Sequence, residues 1–324
     1  MAAYPVEDAA RWAGGAADRG MEFVSRQLYW RMPVLRRWYQ GHAAAAQWAG
    51  REASVEALHS AGIRPGAVVL LHSGLSGVSL RQQGSEIANP LQVASAVLSD
   101  VLSLLGPSGT LAMPTHPRFA ADPGFMHADQ NRRTFDYDPA GTPSGAGLLS
   151  ELFRRRRTVA RSLHPLSSLC ATGPHAEMIL AGNLREGALP HGADSGYWRI
   201  SRLGGLVVSI GRPLIQCMTM IHVAEELRDT DWPIADFFGW RQFRIRQGSI
   251  WTDCRIRERR PRYVRCLLLR QLRRDLLREG ILHEGRVGNL RLDYAAAQAT
   301  VEYMLTRNRN STYPYLWPRT AHLF

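Results

Sequence analysis

The chain has 324 residues, 45% of them hydrophobic and 21% charged, which is enough apolar material to close a large core and excludes global disorder. No apolar run approaches the roughly 20 residues of a membrane-spanning helix, and the beginning of the chain lacks the order of a secretory leader, so a soluble cytoplasmic protein is expected. The net charge of +12, carried mainly by arginine, attracts anions such as nucleic acid, acidic lipid, an acidic carrier protein or a phosphorylated cofactor, without choosing among them. The four cysteines, Cys170, Cys217, Cys254 and Cys266, form no C-x-x-C pair and sit among apolar neighbours, so they are expected to be reduced packing residues.

In chain order, residues 1 to about 50 interleave Trp12, Phe23, Tyr29, Trp30, Trp38, Tyr39 and Trp48 with arginines. This spacing predicts amphipathic helices broken near Pro33 that lie on the main domain, form a subunit contact or rest on a membrane surface. Residues 1–54 are therefore set apart as a helical extension, and 55–324 as one α/β domain. Ala67 to Leu71 predicts a buried strand that ends in the loop His72-Ser73-Gly74-Leu75-Ser76-Gly77. Asn89 and Pro90 open a helix that Gly106 closes, and a strand follows from Gly109 to Met113. Strand, helix and strand in this order predict a right-handed parallel crossover, with the His72–Gly77 and Pro114–Pro117 loops at one carboxyl edge, where open α/β sheets bind ligands.

Downstream, Thr142-Pro143-Ser144 is expected to open a helix that ends in Arg154–Arg157, and Leu166–Ala171 and Leu206–Ile210 are read as strands. A helix carrying His222, Glu225 and Glu226 comes next. Gln242–Arg246 and Ile250–Arg255 alternate around Gln247-Gly248-Ser249 as a hairpin, followed by helices at Val264–Arg278 and Tyr294–Leu305.

His164 lies in Arg161-Ser-Leu-His-Pro165, and Pro165 keeps it extended at the mouth of a strand. Its loop and two others at strand ends are rich in Ser, Thr, His and Gly, which fits acyl transfer to an amine: a base for the amine proton and donors for the oxyanion. His222 and Glu225 share a helix face. The pair is not H-E-x-x-H and no third ligand is prescribed, so no metal is expected. Walker, dinucleotide and Gly-x-Ser-x-Gly fingerprints are absent. Cys170 reads as packing in a strand rather than as an acyl carrier.

Six blocks in order resemble the aminoglycoside 3-N-acetyltransferases and the wider antibiotic N-acetyltransferase-like group: 69–76, 105–115, 135–144, 161–168, 221–226 and 285–289. The resemblance covers roughly residues 55 to 308. It implies a three-layer α/β/α fold with a mostly parallel central sheet, acetyl-coenzyme A or another acyl-coenzyme A as co-substrate, direct transfer in a ternary complex, and a place in antibiotic resistance or natural-product biosynthesis. By position, His164 resembles the family's active-site histidine, and His222 with Glu225 matches its H-x-x-E segment near the site. His72, Ser73, Gly74, Leu75, Thr115, Thr142 and Ser144 fall in blocks that in such proteins line the cofactor arm and thioester. His164 is then the expected general base, oriented or charged by Glu225, with backbone amides after Ser73 helping to hold the oxyanion. Val78–Gly84 replaces the usual glycine pair of the cofactor loop, and Gly145 stands where family members often have arginine.

The acceptor is expected to be a small-molecule amine. A protein of charge +12 repels a polycation unless acids gather locally, and Glu225, Glu226, Asp229, Asp231 and Asp236 are the candidates for such a patch. An amino sugar or natural-product amine of lower positive charge is preferred. Two alternatives stay open: an acidic acyl carrier protein as donor, docked on the arginines between 241 and 274, and a non-catalytic anion-binding module for nucleic acid or membrane. No nucleic-acid motif supports the latter, nucleic acid is not an expected partner, and a homodimer stays open.

Overall fold

The computed structural model describes residues 46–48, 51–75, 78–82, 85–87, 89–117, 133–182, 184–228, 232, 236–260, 263 and 268–309. The helices expected before residue 46 and the strand-like setting of Cys266 lie outside these residues.

The first half of the chain contains β1 (Ala46–Trp48), α1 (Arg51–Ser60), β2 (Val68–Ser73), β3 (Val78–Gln82), β4 (Ser85–Ile87), α2 (Pro90–Leu105) and β5 (Thr110–Pro114). It continues through β6 (Thr134–Tyr137), α3 (Leu148–Arg154), β7 (Ala160–Arg161) and β8 (Leu169–Thr172). The second half adds α4 (Ala176–Leu180), α5 (Gly196–Arg202), β9 (Leu206–Ile210), α6 (Met220–Leu227), β10 (Phe238–Gln247) and β11 (Ile250–Arg259). It ends in α7 (Leu269–Arg278), β12 (Leu282–Val287), β13 (Leu290–Ala296) and α8 (Ala297–Arg309).

Seven strands form the central sheet in the order β12-β13-β9-β2-β5-β8-β7. Side chains alternate across it, as the two-residue strand period requires. Leu70, Ala112, Ala171 and Val207 pack into one core with α4 to α8, and Val69, Leu71, Met113 and Val208 into another with α1, α2 and α3. This is the expected α/β/α layering. α2 has the expected ends: the Asn89 side chain accepts from the amides of Leu91 (3.0 Å) and Gln92 (3.4 Å), Pro90 follows, and Gly106 closes the helix at φ 59°.

The sheet is mixed, which corrects the expectation of a mostly parallel one. Only β9–β2 and β2–β5 are parallel, and the pairings β5–β8, β8–β7, β13–β9 and β12–β13 are antiparallel. Connection length accounts for the β7–β8 and β12–β13 pairings. Residues 162–168 join β7 to β8, and 288–289 join β12 to β13, whereas a parallel crossover needs a dozen residues or more. Two smaller three-stranded sheets accompany the central one, β1-β3-β4 and β11-β10-β6.

Several boundaries also move. Ala46–Trp48, inside the expected helical extension, pairs in parallel with Val78–Leu80. The stretch 78–84 that departs from the family pattern thus supplies a strand to which the N-terminal segment attaches. β8 begins at Leu169 because the main-chain groups of Leu166 and Ser168 are used in side-on contacts, described below. The helix expected from Thr142 starts at Leu148, since Thr142 Oγ1 accepts from the amide of Asp138 (2.9 Å) and holds that stretch in a turn. Tyr294 lies in β13, and the last helix begins at Ala297.

Candidate active site

The carboxyl ends of the parallel strands β2, β5 and β9 point to one edge of the sheet. Because β8 runs against β5, with Leu169 beside Pro114, the segment 162–168 that enters β8 arrives at this same edge. A parallel β8 would have carried His164 to the opposite edge. The loops after β2 and β9 are held tightly together: the Gly74 amide donates to Ile210 O (2.8 Å), and Gly211 sits at φ 81° with its missing Cβ directed to within 2.3 Å of Gly74 O. Only glycine fits such a backbone approach.

Under the β5–β8 edge lies a polar joint. Thr115 is buried, its amide donates to Ser168 O (2.8 Å), and Ser168 Oγ donates back to Thr115 O (2.7 Å). From β7 the Arg161 guanidinium reaches the carbonyls of Thr115 (2.5 Å), Thr142 (2.5 Å) and Pro139 (3.2 Å). Ser144 donates its amide to Glu151 (2.9 Å), and its hydroxyl accepts from Ala146 (3.1 Å). Thr115, Thr142 and Ser144 therefore shape the edge through backbone and side-chain bonds, and the wall itself is formed by their neighbours His116, Gly145 and Ala146.

A cavity of about 400 Å³ opens on this edge. His72, Ser73, His116 and Gly145 line it together with His191, Arg212, His222 and Arg259. Of the sequence candidates, His72, Ser73 and His222 line it, with Gly74 and Leu75 next along the same loop. His164 is 1% exposed and lies behind this wall, next to His116 and His191.

The hydrogen bonds assign the histidine tautomers. Nδ1 of His164 faces two donors, the amides of Leu166 (3.3 Å) and Ser167 (3.4 Å). It must accept, so the neutral ring carries its proton on Nε2. That Nε2 is buried without a partner, and burial, reinforced by His191 and His116, pushes the ring's pKa down to about 3. In this tautomer His164 presents a hydrogen, rather than a lone pair, at Nε2.

His222, by contrast, has Nδ1 3.0 Å from Oε2 of Glu225, which is fully buried on the same helix, α6. Burial alone would raise the Glu225 carboxyl, but His222 and the Arg259 guanidinium outweigh it and hold the group ionised, below its ordinary value. The Glu225 carboxylate can take the Nδ1–H of His222, the arrangement of a base with its orienting acid, and the Nε2 lone pair then faces the Arg259 guanidinium. Arg259, from the end of β11, lies over the ring with Nη1 2.9 Å from Nδ1 and Nη2 3.1 Å from Nε2. Burial and this guanidinium keep His222 below the ordinary imidazole range.

The next residue of α6 behaves oppositely. Glu226 lies beside His191, accepting from its backbone amide and standing 2.9 Å from its Nδ1. Without a cation as close as Arg259 is to Glu225, burial pushes the Glu226 carboxyl up to about 8 and His191 down to about 3. The pair is therefore held uncharged, and His191 Nε2 has no partner. Two adjacent glutamates are pushed to opposite protonation states by their neighbours. His116 completes the group, with Nδ1 donating to Leu166 O (3.2 Å) and burial lowering its pKa to about 4.

His191 and Arg212 were not among the site residues expected from the sequence, and Arg259 entered only within the basic stretch 241–274. The only local signal for His191 was Pro190-His191-Gly192, a histidine in a turn, and nothing in spacing ties it to Glu226. Of the proposed acidic patch, Glu225 and Glu226 are buried and engaged and Asp236 pairs with Arg260 (2.7 Å), while Asp229 and Asp231 lie outside the described residues. Cys170 is buried in β8, where burial pushes its thiol up to about 11, too high for a nucleophile at neutral pH. Among the described residues no group of three or more His, Cys, Asp or Glu is placed to hold a metal ion, and no helix is long and apolar enough to cross a membrane.

The chain is similar to several known proteins. Over 186 residues it is 31% identical to aminoglycoside N(3)-acetyltransferase III of Salmonella sp, covering 55% of this chain and 61% of that protein's length. Over 248 residues it is 27% identical to aminoglycoside N(3)-acetyltransferase IX of Micromonospora chalcea, covering 70% and 82%. The crystal structure of aminoglycoside acetyltransferase AAC(3)-Xa superposes with a TM-score of 0.62 at 25% identity, covering 80% of this chain and 92% of that one. A variant of AAC(3)-IVa in complex with a gentamicin gives a TM-score of 0.65 at 24% identity, covering 87% and 96%, and shares the fold. Residues 70–307 match the family model of aminoglycoside 3-N-acetyltransferase, and the chain belongs to that family.

Proposed function

We propose that the protein transfers an acetyl group from acetyl-coenzyme A to an amine, directly and without an acyl-enzyme, with His222 as base and Glu225 as the acid that orients it. The observation that carries this reading is the His222–Glu225 pair on the wall of a cavity at the carboxyl edge of a sheet whose fold is that of aminoglycoside acetyltransferases. His222 Nε2 takes a proton from the attacking amine as the C–N bond forms. The oxyanion at the former thioester carbonyl needs N–H donors, for which the Leu75 amide is the candidate, the Gly74 amide being engaged by Ile210 O. Collapse breaks the C–S bond, and the coenzyme A thiolate leaves with the proton that His222 received. Arg212, on the cavity wall beside Gly74, suits an anionic part of the donor.

An acidic carrier protein as donor draws less support, because the hairpin arginines are engaged in ion pairs. Arg244 pairs with Asp136 (2.6 Å), Arg246 with Asp138 (3.1 Å) and Arg255 with Glu186 (3.6 Å). The test is to incubate purified protein with acetyl-coenzyme A and a panel of amines and to record thiol release, with coenzyme A binding measured by calorimetry. Amine-dependent thiol release supports the reading; no binding of coenzyme A rejects it.

A further inference from the structure

His191 lines the cavity that holds His222, and its partner Glu226 lines a second cavity of about 570 Å³ beside Phe238 and Trp240. The dyad therefore stands between the two. The His191 ring lies 5.4 Å from the ring of His222, centroid to centroid. The residue is more than nine-tenths buried, and its Nε2 has no partner. A buried ring nitrogen left open on a cavity wall, this close to the base, is placed to meet a ligand rather than the protein.

Glu226 decides what that nitrogen offers. Its Oε2 accepts from the His191 backbone amide, and its Oε1 stands 2.9 Å from His191 Nδ1. With Oε2 so occupied, an uncharged pair closes the second contact in one way: Oε1 carries the acid proton and donates it to Nδ1, which puts the ring hydrogen on Nε2. When Glu226 is ionised the contact reverses, Nδ1–H donates to Oε1, and Nε2 is left with a lone pair. Burial, with the like charge of Glu225 adding to it, holds Glu226 neutral up to about 8 against the His191 amide, His222 and Arg259. Glu258 of β11, which also acts on Glu226, is paired with Arg241. The other groups facing His191 are uncharged at neutral pH, because burial keeps His116 and His164 unprotonated and the Tyr197 phenol, its ring 4.7 Å away, protonated.

We propose that His191 is a second catalytic residue: its Nε2–H, fixed by the hydrogen bond from Glu226 to Nδ1, donates to the oxyanion that forms at the thioester carbonyl, beside the Leu75 amide. The inference rests on the acetyl-transfer reading above. As the C–N bond forms, the carbonyl π pair moves to oxygen, and that oxygen accepts from Nε2–H while His222 takes the amine proton. On collapse the pair returns and the C–S bond breaks, so His191 keeps its hydrogen throughout. A fixed neutral donor gives little to the uncharged thioester and more to the oxyanion, and this difference accelerates the step. The two dyads on the wall then work in opposite senses, His222 as acceptor and His191 as donor, because one glutamate is ionised and the other is not.

The test uses the full chain with acetyl-coenzyme A and gentamicin, and reads both rate and tautomer. His191→Phe keeps a ring in the wall and removes the N–H; it is expected to lower kcat for thiol release by about two to three decades with coenzyme A affinity within about twofold. His191→Gln, which restores an N–H, is expected to recover at least about tenfold of that loss. Glu226→Gln imitates the neutral carboxyl at every pH, its amide N–H donating to Nδ1 and its carbonyl accepting from the His191 amide. The ratio of its kcat/KM for the amine to that of the wild-type protein, in which ionisation of the amine cancels, is expected to rise from about one at pH 7 to at least about tenfold at pH 9.5. NMR of the ring nitrogens in histidine-labelled protein, with His191 assigned from the Gln variant, is expected to show Nε2 protonated at pH 7 and Nδ1 at pH 9.5, and no such change in Glu226→Gln. Wild-type turnover by His191→Phe, a ratio that does not change with pH, or Nδ1 protonated at pH 7 overturns the proposal. Should the Phe variant fail to fold, the Glu226→Gln ratio and the spectra decide. Absence of amine-dependent thiol release by the wild-type protein falls instead on the acetyl-transfer reading, and the spectra still decide the dyad.

Discussion

Acidification should destabilise this protein well before its carboxylates titrate, because the site buries histidines that cannot accept a proton. His72 and His164 are the cleanest cases, since neither has a carboxylate partner and burial lowers both to about 3 from an ordinary 6.5. Their folded-state pKa lies below the unfolded one, so between these values the unfolded chain binds more protons and stability falls as pH falls. The contribution is fully present above pH 6.5 and is lost progressively towards pH 3. From linkage, each ring costs about 2 kcal/mol on going from pH 7.5 to 5, and the two together about 4 kcal/mol. His191 adds the same sign, while Glu226, raised to about 8, has the opposite one: its contribution is present at low pH and lost as pH rises through 8. Because these two share one contact they offset each other, and His72 with His164, joined by His116 with the same sign, set the slope. Urea unfolding at pH 7.5, 6 and 5 measures it, and His72→Gln should reduce the pH 7.5-to-5 difference by about half of the two-ring value. A flat stability between pH 7.5 and 5, with the cavity intact, would refute the buried neutral histidines.

Three further outcomes follow from the same geometry. His222→Asn and Glu225→Gln should each lower kcat for thiol release, by about two to four decades for the base and less for its orienting acid, with coenzyme A affinity nearly unchanged; wild-type turnover by His222→Asn would move the base elsewhere. Gly211→Ala places a methyl group 2.3 Å from Gly74 O at φ 81°, so it should cost at least about 2 kcal/mol in urea unfolding and weaken coenzyme A binding by displacing the loop after β2. Arg161→Met removes the cation that ties Thr115, Thr142 and Pro139 together and should destabilise by about 3 kcal/mol, measured the same way; a loss under about 0.5 kcal/mol would mean that the loops close without it.

Local signals carried much of the chain. Asn89-Pro90 and Gly106 bound a helix through capping chemistry that acts within a few residues, and the apolar runs at 68–72 and 206–210 are strands buried on both faces. The turn at Gln247-Gly248-Ser249 pairs β10 with β11 over their whole length. Ordered motif blocks led to the family, because a fold kept across relatives keeps its loop chemistry in the same order along the chain. His222 and Glu225 were legible as a pair because helical spacing puts them on one face.

What local sequence could not specify were the directions and partners set by long-range contact. Strand polarity is one: that β8 runs against β5, and so brings His164 to the ligand edge, is a pairing across the long segment 115–168 that no local signal specifies. Protonation is another. His164 and His222 are equivalent histidines in the sequence, but two backbone amides on Nδ1 make the first a donor, and a buried carboxylate on Nδ1 makes the second an acceptor. Glu225 and Glu226 are chemically identical neighbours; an arginine that arrives from 34 residues downstream, at the end of β11, ionises one and leaves the other to be neutralised by burial. Composition set the chain's overall positive charge, and only the tertiary structure decided that Arg212 and Arg259 carry part of it to the cavity wall.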